Sequence, residues 1–174
     1  MSLIVVRRRP GVACAWQGLL SFRGQVYPCS LGRSGIVSRK FEGDGGTPSG
    51  RFKVLYGYHR RDRFRFPISE LPMIGIRNDD GWCDEPNHPS YNSPVSLPHP
   101  ASHEEMMRSD RLYDVCLVLD YNIHPRGRAR GSAIFFHLTR EDLGPTEGCI
   151  AIEPAAMKRL LPDISWRTQI LICP

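Results

Sequence analysis

Residues 131–152 read GSAIFFHLTREDLGPTEGCIAI. An apolar run ends at His137, a polar loop follows, and the apolar pattern resumes at Gly148-Cys149-Ile150-Ala151-Ile152. Short apolar runs bounded by turn-forming residues read as buried strands. Two such strand ends, joined by one loop, bring an imidazole and a thiol within reach of each other. A free thiol is mostly protonated at neutral pH, so an imidazole that takes its proton turns Cys149 into a nucleophile. Gly148 lets the chain turn sharply, so that backbone N–H groups at Gly148 and Cys149 face a developing oxyanion. The plainer reading is a buried cysteine beside a core histidine; the order of the residues favours the catalytic one.

Outward from this stretch the pattern is sheet-rich. Leu3 to Arg8, Gly18 to Phe22 and Gln25 to Leu31 read as an opening meander turning at Gly24. Gly32 to Gly50 is a glycine-rich loop whose Gly43-Asp44-Gly45-Gly46 lacks the lysine and the strand-to-helix setting of a nucleotide loop. Thr47-Pro48-Ser49-Gly50 reads as a tight turn feeding a strand from Arg51 to Tyr58. Phe66 to Pro100 carries seven prolines and no periodicity, the mark of a lid, a binding loop or disorder. Ser102 is expected to start a short helix with Glu104 and Glu105 in its first turn. Leu112 to Asp120, Ser132 to His137 and Thr168 to Cys173 read as strands, and Pro154 to Leu161 as a short helix capped near Glu153. The expected class is mainly β with short helices.

With 174 residues the chain supports one well-buried core, and residues 1–174 are expected to form a single domain. It has no apolar run of about 18 residues, so no membrane-spanning helix is expected. At the start, MSLIVVRRRPG places its basic residues after the apolar ones, the reverse of a signal peptide. Six cysteines occur without CxxC pairs, which argues against a disulfide framework and leans toward a reducing compartment.

The net charge of +5 raises the question of nucleic acid. Arginines cluster at 7–9, at Arg60, Arg61, Arg63 and Arg65, and at Arg126, Arg128 and Arg130, with Tyr56, Tyr58, Phe64 and Phe66 interleaved. No nucleic-acid-binding motif accompanies them, so no nucleic-acid partner is expected. His99 and His103 share an i,i+4 spacing and Cys83 lies near His88, but no zincin set follows. Scattered surface histidines account for the pattern; neither a metal nor another cofactor is expected.

His137 followed by Thr146-Glu147-Gly148-Cys149 resembles the catalytic motif of the L,D-transpeptidase (YkuD) family, a histidine and then Ser/Thr-His-Gly-Cys. KFEGDGGTPSGRF at 40–52 is similar to that family's Thr-Pro-x-Gly-x-Phe block. DGWCDEPNHPSYN at 80–92, DRLYDVCLVLDYN at 110–122 and GSAIFFH at 131–137 resemble one branch of its small bacterial members. Glu147 stands where the commoner motif has a second histidine, and Ala151 where many members have a basic or amide side chain. The resemblance implies a closed, twisted β module and a Cys149 thioester acting on peptidoglycan stem peptides to form L,D (3-3 type) cross-links. It also implies that His137 is the base, oriented by the Leu138 carbonyl, and that the compartment is the cell envelope or periplasm. Thr146, Glu147, Trp82, Tyr91 and Asn92 are the candidate substrate contacts, the last three from a 66–100 lid. The alternatives are an L,D-carboxypeptidase or other Cys-His hydrolase of cell-wall peptides, and a non-catalytic module binding an anionic cell-wall polymer.

Overall fold

The computed structural model describes residues 2–63 and 69–174. Its strands are β1 (Leu3–Arg8), β2 (Gln17–Phe22), β3 (Gln25–Ser30), β4 (Ile36–Val37), β5 (Thr47–Pro48), β6 (Gly50–His59), β7 (Met73–Gly75), β8 (Asp80–Cys83), β9 (Ser93–Ser96), β10 (His103–Glu105), β11 (Val115–Leu119), β12 (Phe135–Leu138), β13 (Ile150–Ile152) and β14 (Gln169–Cys173). The helix α1 (Pro154–Leu160) leads into a 3-10 turn at Leu161–Asp163. The large sheet runs β11-β12-β13-β3-β2-β1-β14-β6-β7, and β6 also pairs with β11. That second pairing closes β11 through β6 into a barrel and leaves β7 as an edge strand on β6.

Alternation makes the barrel wall. In β1, Ile4 and Val6 point inward; in β2, Leu20 and Phe22; in β14, Ile170 and Ile172, with less buried residues between. These side chains form one core with Leu117, Phe136, Leu138, Ile150 and Ile152, joined by Ala156, Met157 and Leu160 of α1. Pro154 opens α1, where its missing N–H costs nothing, and Glu153 is the N-cap residue without a side-chain capping bond.

In β11, β12 and β13 the alternation is lost altogether. Every residue of β11, β12 and β13 is buried, because a second layer covers their outer face. Cys116, Val118, Phe135 and Cys149 pack there against Tyr58, Ile76, Trp82, Met106 and Tyr113. The cover is a separate three-stranded sheet, β10-β8-β9. Strands covered on both sides read as continuous apolar runs, which is why VCLVL and FFHL show no period.

Several expectations need correction. No helix starts at Ser102: β10 pairs with β8 instead, His103 opposite Cys83 and Glu104 opposite Trp82. Cross-strand bonds there satisfy the backbone that a single helical turn would leave open. The 66–100 segment, described from residue 69, holds β7, β8 and β9. Thr47-Pro48 forms β5 alongside β4, not a free turn. The strand expected at Ser132 to His137 is β12, Phe135–Leu138, and it starts late because Ala133 takes φ +50°. Of the arginine–aromatic cluster, Arg65, Phe64 and Phe66 lie outside the described residues. Arg60 is tied to Asp62 by two bonds of 2.8 and 2.7 Å, and Tyr58 is buried.

Phe136 is fully buried in the barrel and Ile74 is 46% exposed. Phe136→Ala should cost about 3–5 kcal/mol of unfolding free energy and Ile74→Ala less than about 1 kcal/mol. Denaturant unfolding measures both. A Phe136→Ala loss as small as that of Ile74→Ala would contradict the assignment of Phe136 to the barrel interior.

Candidate active site

β12 and β13 run parallel, with Phe136 opposite Ile150 and His137 opposite Ala151. Side chains alternate along a strand, and facing residues of a parallel pair share a side. Phe136 and Ile150 therefore enter the barrel, while His137, Ala151 and Cys149, two residues before Ala151, lie on the covered outer face. A cavity of about 450 Å³ opens over that face, and its walls include Glu104, Arg108, Tyr113, His137, Thr146, Glu147 and Cys149.

The His137 ring has one fixed direction. Its Nδ1 lies 2.7 Å from the Leu138 carbonyl oxygen, so Nδ1 carries the proton and Nε2 keeps its lone pair. The Tyr113 ring meets the imidazole edge-on at 5.2 Å, and the Tyr113 hydroxyl donates to Glu104. Burial holds the His137 pKa down to about 4. The Cys149 thiol donates to the Ala133 carbonyl at 3.1 Å and accepts the Phe135 N–H at 3.4 Å. Burial, together with the nearby Glu104 carboxylate, pushes its pKa up to about 12. Desolvation thus favours the neutral imidazole and the neutral thiol over the charged pair.

The Cys149 backbone is pinned from below. Its carbonyl accepts the Thr146 hydroxyl at 2.7 Å and the Thr47 hydroxyl at 3.4 Å. Thr146 also bridges to Gly32, and its N–H reaches the Leu31 carbonyl at 2.9 Å. Gly148 takes φ +140°, and a Cβ there would lie 2.8 Å from the Gly46 carbonyl oxygen. Its N–H is not free for an oxyanion, as the motif alone suggests; it donates to the Thr146 hydroxyl at 3.2 Å.

Of the expected substrate contacts, Thr146 and Glu147 reach the cavity. Glu147 is exposed and paired with Arg33. Trp82, Tyr91 and Asn92 do not line it: they are 1%, 2% and 2% exposed and are spent on the scaffold. Trp82 packs edge-on against Phe135 at 5.0 Å. Asn92 Oδ1 accepts the Trp82 indole N–H at 3.0 Å and the Ala133 N–H at 3.0 Å. Tyr91 donates to Glu42, which also accepts the Ser132 hydroxyl at 2.7 Å. These contacts hold the 131–134 turn that presents the Ala133 carbonyl to the thiol. A left-handed alanine costs about 1–2 kcal/mol, and Asn92 helps to hold it. The 80–92 stretch therefore packs over the Cys149 face, with Trp82 and Asn92 bonded to the scaffold.

Glu104, Arg108, Tyr113 and Ala133 also border the thiol and the imidazole, with no local sequence signal that marks them as site residues. Tyr113 lies within a stretch quoted for its family resemblance, yet nothing local marks it as the neighbour of His137. Arg108 sits 5.1 Å over the Tyr113 ring and forms a fork with Asp110 at 2.9 and 2.7 Å. In the covering sheet, Cys83, His88 and His99 offer ligand atoms that all lie within 4.8 Å of one another.

If the resting thiol is neutral, its alkylation by iodoacetamide should keep rising with pH beyond pH 9. The thiolate fraction grows about tenfold per pH unit until the pKa is approached. Alkylation followed by peptide mass mapping measures this. A rate that is already level at pH 7 would show a resting thiolate–imidazolium pair instead.

The sequence model of the YkuD family, described as the L,D-transpeptidase catalytic domain, matches residues 20–172. No curated relative matches the chain. Among solved structures, L,D-transpeptidase 1 of Mycobacterium tuberculosis is similar at 11% identity and a TM-score of 0.41, over 98% of this chain and 62% of that one. The chain thus spans less than two thirds of that relative's length.

Proposed function

This chain belongs to the L,D-transpeptidase catalytic-domain family, and from that membership we propose that it is a cysteine acyltransferase acting on peptidoglycan stem peptides to form L,D (3-3 type) cross-links. What carries the reading is the cavity that holds the Cys149 thiol together with an imidazole fixed by the Leu138 carbonyl. His137 Nε2 takes the thiol proton as Sγ attacks a stem-peptide carbonyl, forming a C–S bond and an oxyanion. Because both groups rest neutral, the proton moves as the bond forms and not beforehand. The thiol gives up the Ala133 carbonyl to do so. The Cys149 N–H stabilises the oxyanion, joined by the Gly148 N–H once it exchanges the Thr146 hydroxyl for it. Collapse breaks the C–N bond, the leaving amine takes the proton from His137, and a thioester remains. An acceptor amine then attacks the thioester, His137 removes its proton, and Cys149 departs as the thiol. Water in place of that amine would give hydrolysis.

Arg108 offers a guanidinium on the cavity wall for a stem carboxylate, and Thr146 and Glu147 border the same space. The substrate implies a cell-envelope compartment, where the net positive charge favours retention on an anionic polymer. Among the described residues no helix is long and apolar enough to cross a membrane.

Cys149→Ala should abolish turnover of a tetrapeptide-stem substrate with unchanged thermal unfolding, and His137→Gln should slow it by about 10²–10⁴-fold. Intact-mass analysis of the wild type should detect the acyl adduct on Cys149. Adduct without cross-linked product, but with released stem acid, would assign hydrolysis instead. Activity of Cys149→Ala within a few-fold of wild type would overturn the reading altogether.

A further inference from the structure

Cys83 ends β8, His88 lies in the connection from β8 to β9, and His99 lies between β9 and β10. Placed on successive segments, they are brought together by the covering sheet, where β8 pairs with β9 on one side and β10 on the other. Their ligand atoms lie within 4.8 Å of one another. Cys83 is fully buried. His99 Nε2 is buried and has no hydrogen-bond partner. An imidazole nitrogen sealed from water without a partner is costly, and it lies beside a thiol and a second imidazole, whose ring is 4.8 Å from its own.

We propose that Cys83, His88 and His99 form a binding site for a zinc-class divalent cation. One thiolate and two imidazoles suit a borderline-soft ion and not magnesium or calcium, which take oxygen ligands. Ligands of a tetrahedral zinc stand roughly 3.5 Å apart, so the three groups close by about 1 Å on the ion, and solvent completes the coordination. The Cys83 thiol loses its proton to solvent as the sulfur–metal bond forms. His88 Nδ1 accepts the Ser90 N–H at 3.1 Å. That bond is given up whichever ring nitrogen ligates, because ligation through Nε2 moves the ring proton to Nδ1. His99 gains the partner it lacks.

The ion would clamp three successive segments of the cover. Its effect would reach the cavity through β10, where His103 pairs with Cys83 and the next residue, Glu104, accepts the Tyr113 hydroxyl beside His137. The site does not depend on the acyl-transfer reading, so either proposal stands if the other fails.

Cobalt(II) tests it in the full chain, after chelator treatment under reducing conditions. The expected result is one equivalent of Co²⁺ bound with a thiolate-to-cobalt charge-transfer band and tetrahedral d–d absorption, both displaced by Zn²⁺. The band should persist in Cys149→Ala and be lost in Cys83→Ser, His99→Gln and His88→Gln. The two histidine variants change partly exposed side chains, so they keep the test valid should Cys83→Ser unfold. No bound cobalt, a band that follows Cys149, or a band unaffected by the His99 and His88 substitutions would overturn the proposal.

Discussion

The parallel pairing of β12 with β13 places a histidine and a cysteine from separate strands on one face of the sheet. With His137 opposite Ala151, the side chain two residues earlier, Cys149, shares the imidazole's side. A slip of one residue would send the thiol into the barrel and a core isoleucine into the cavity. Several contacts oppose that slip. Phe136, Leu138, Ile150 and Ile152 fill the interior from the same strands, and two threonine hydroxyls hold the Cys149 carbonyl. Gly148 is the residue that admits the close approach of the Gly46 carbonyl before the strand begins.

The same layering sets the chemistry. Because a second sheet covers the outer face, the thiol and the ring are desolvated, and desolvation disfavours both charged forms. An exposed Cys-His pair would form an ion pair more readily, at the risk of reacting with any electrophile. Here the thiol rests on the Ala133 carbonyl, and in the proposed reaction its proton moves only as the sulfur attacks. The covering layer therefore both builds the site and restrains it, and Asn92 joins the two functions by bonding the cover's Trp82 and the Ala133 backbone.

Local pattern made part of this legible. The inward alternation of β1, β2 and β14 is a period-2 signal, and the His137 and Cys149 strand ends stand out as apolar runs broken by turn residues. The contact between the Leu138 carbonyl and the His137 ring was implied by family resemblance and not by any local signal. What escaped the reading depends on contacts distant in sequence. Trp82, Tyr91 and Asn92 have the side chains of a binding surface, yet pairing with β12 and its preceding turn buries them. Ser102-His103-Glu104-Glu105 carries a helix-start composition, and three backbone pairings with β8 override it. Glu104 and Tyr113 acquire meaning only when the cover is laid over His137. Cys83, His88 and His99 look scattered along a proline-rich stretch and converge only through the order of β10, β8 and β9.

The state of the His137 ring is the most direct measure of this account. In ¹⁵N-labelled protein, the His137 ring nitrogens report tautomer and charge by their chemical shifts, assigned by comparison with His137→Gln. The account predicts a neutral ring at pH 7 with the proton on Nδ1, hydrogen-bonded to Leu138, and a titration midpoint near 4. An imidazolium at pH 7 that becomes neutral when Cys149 is replaced by alanine would contradict it, since that would mean a standing ion pair in place of two neutral groups awaiting substrate.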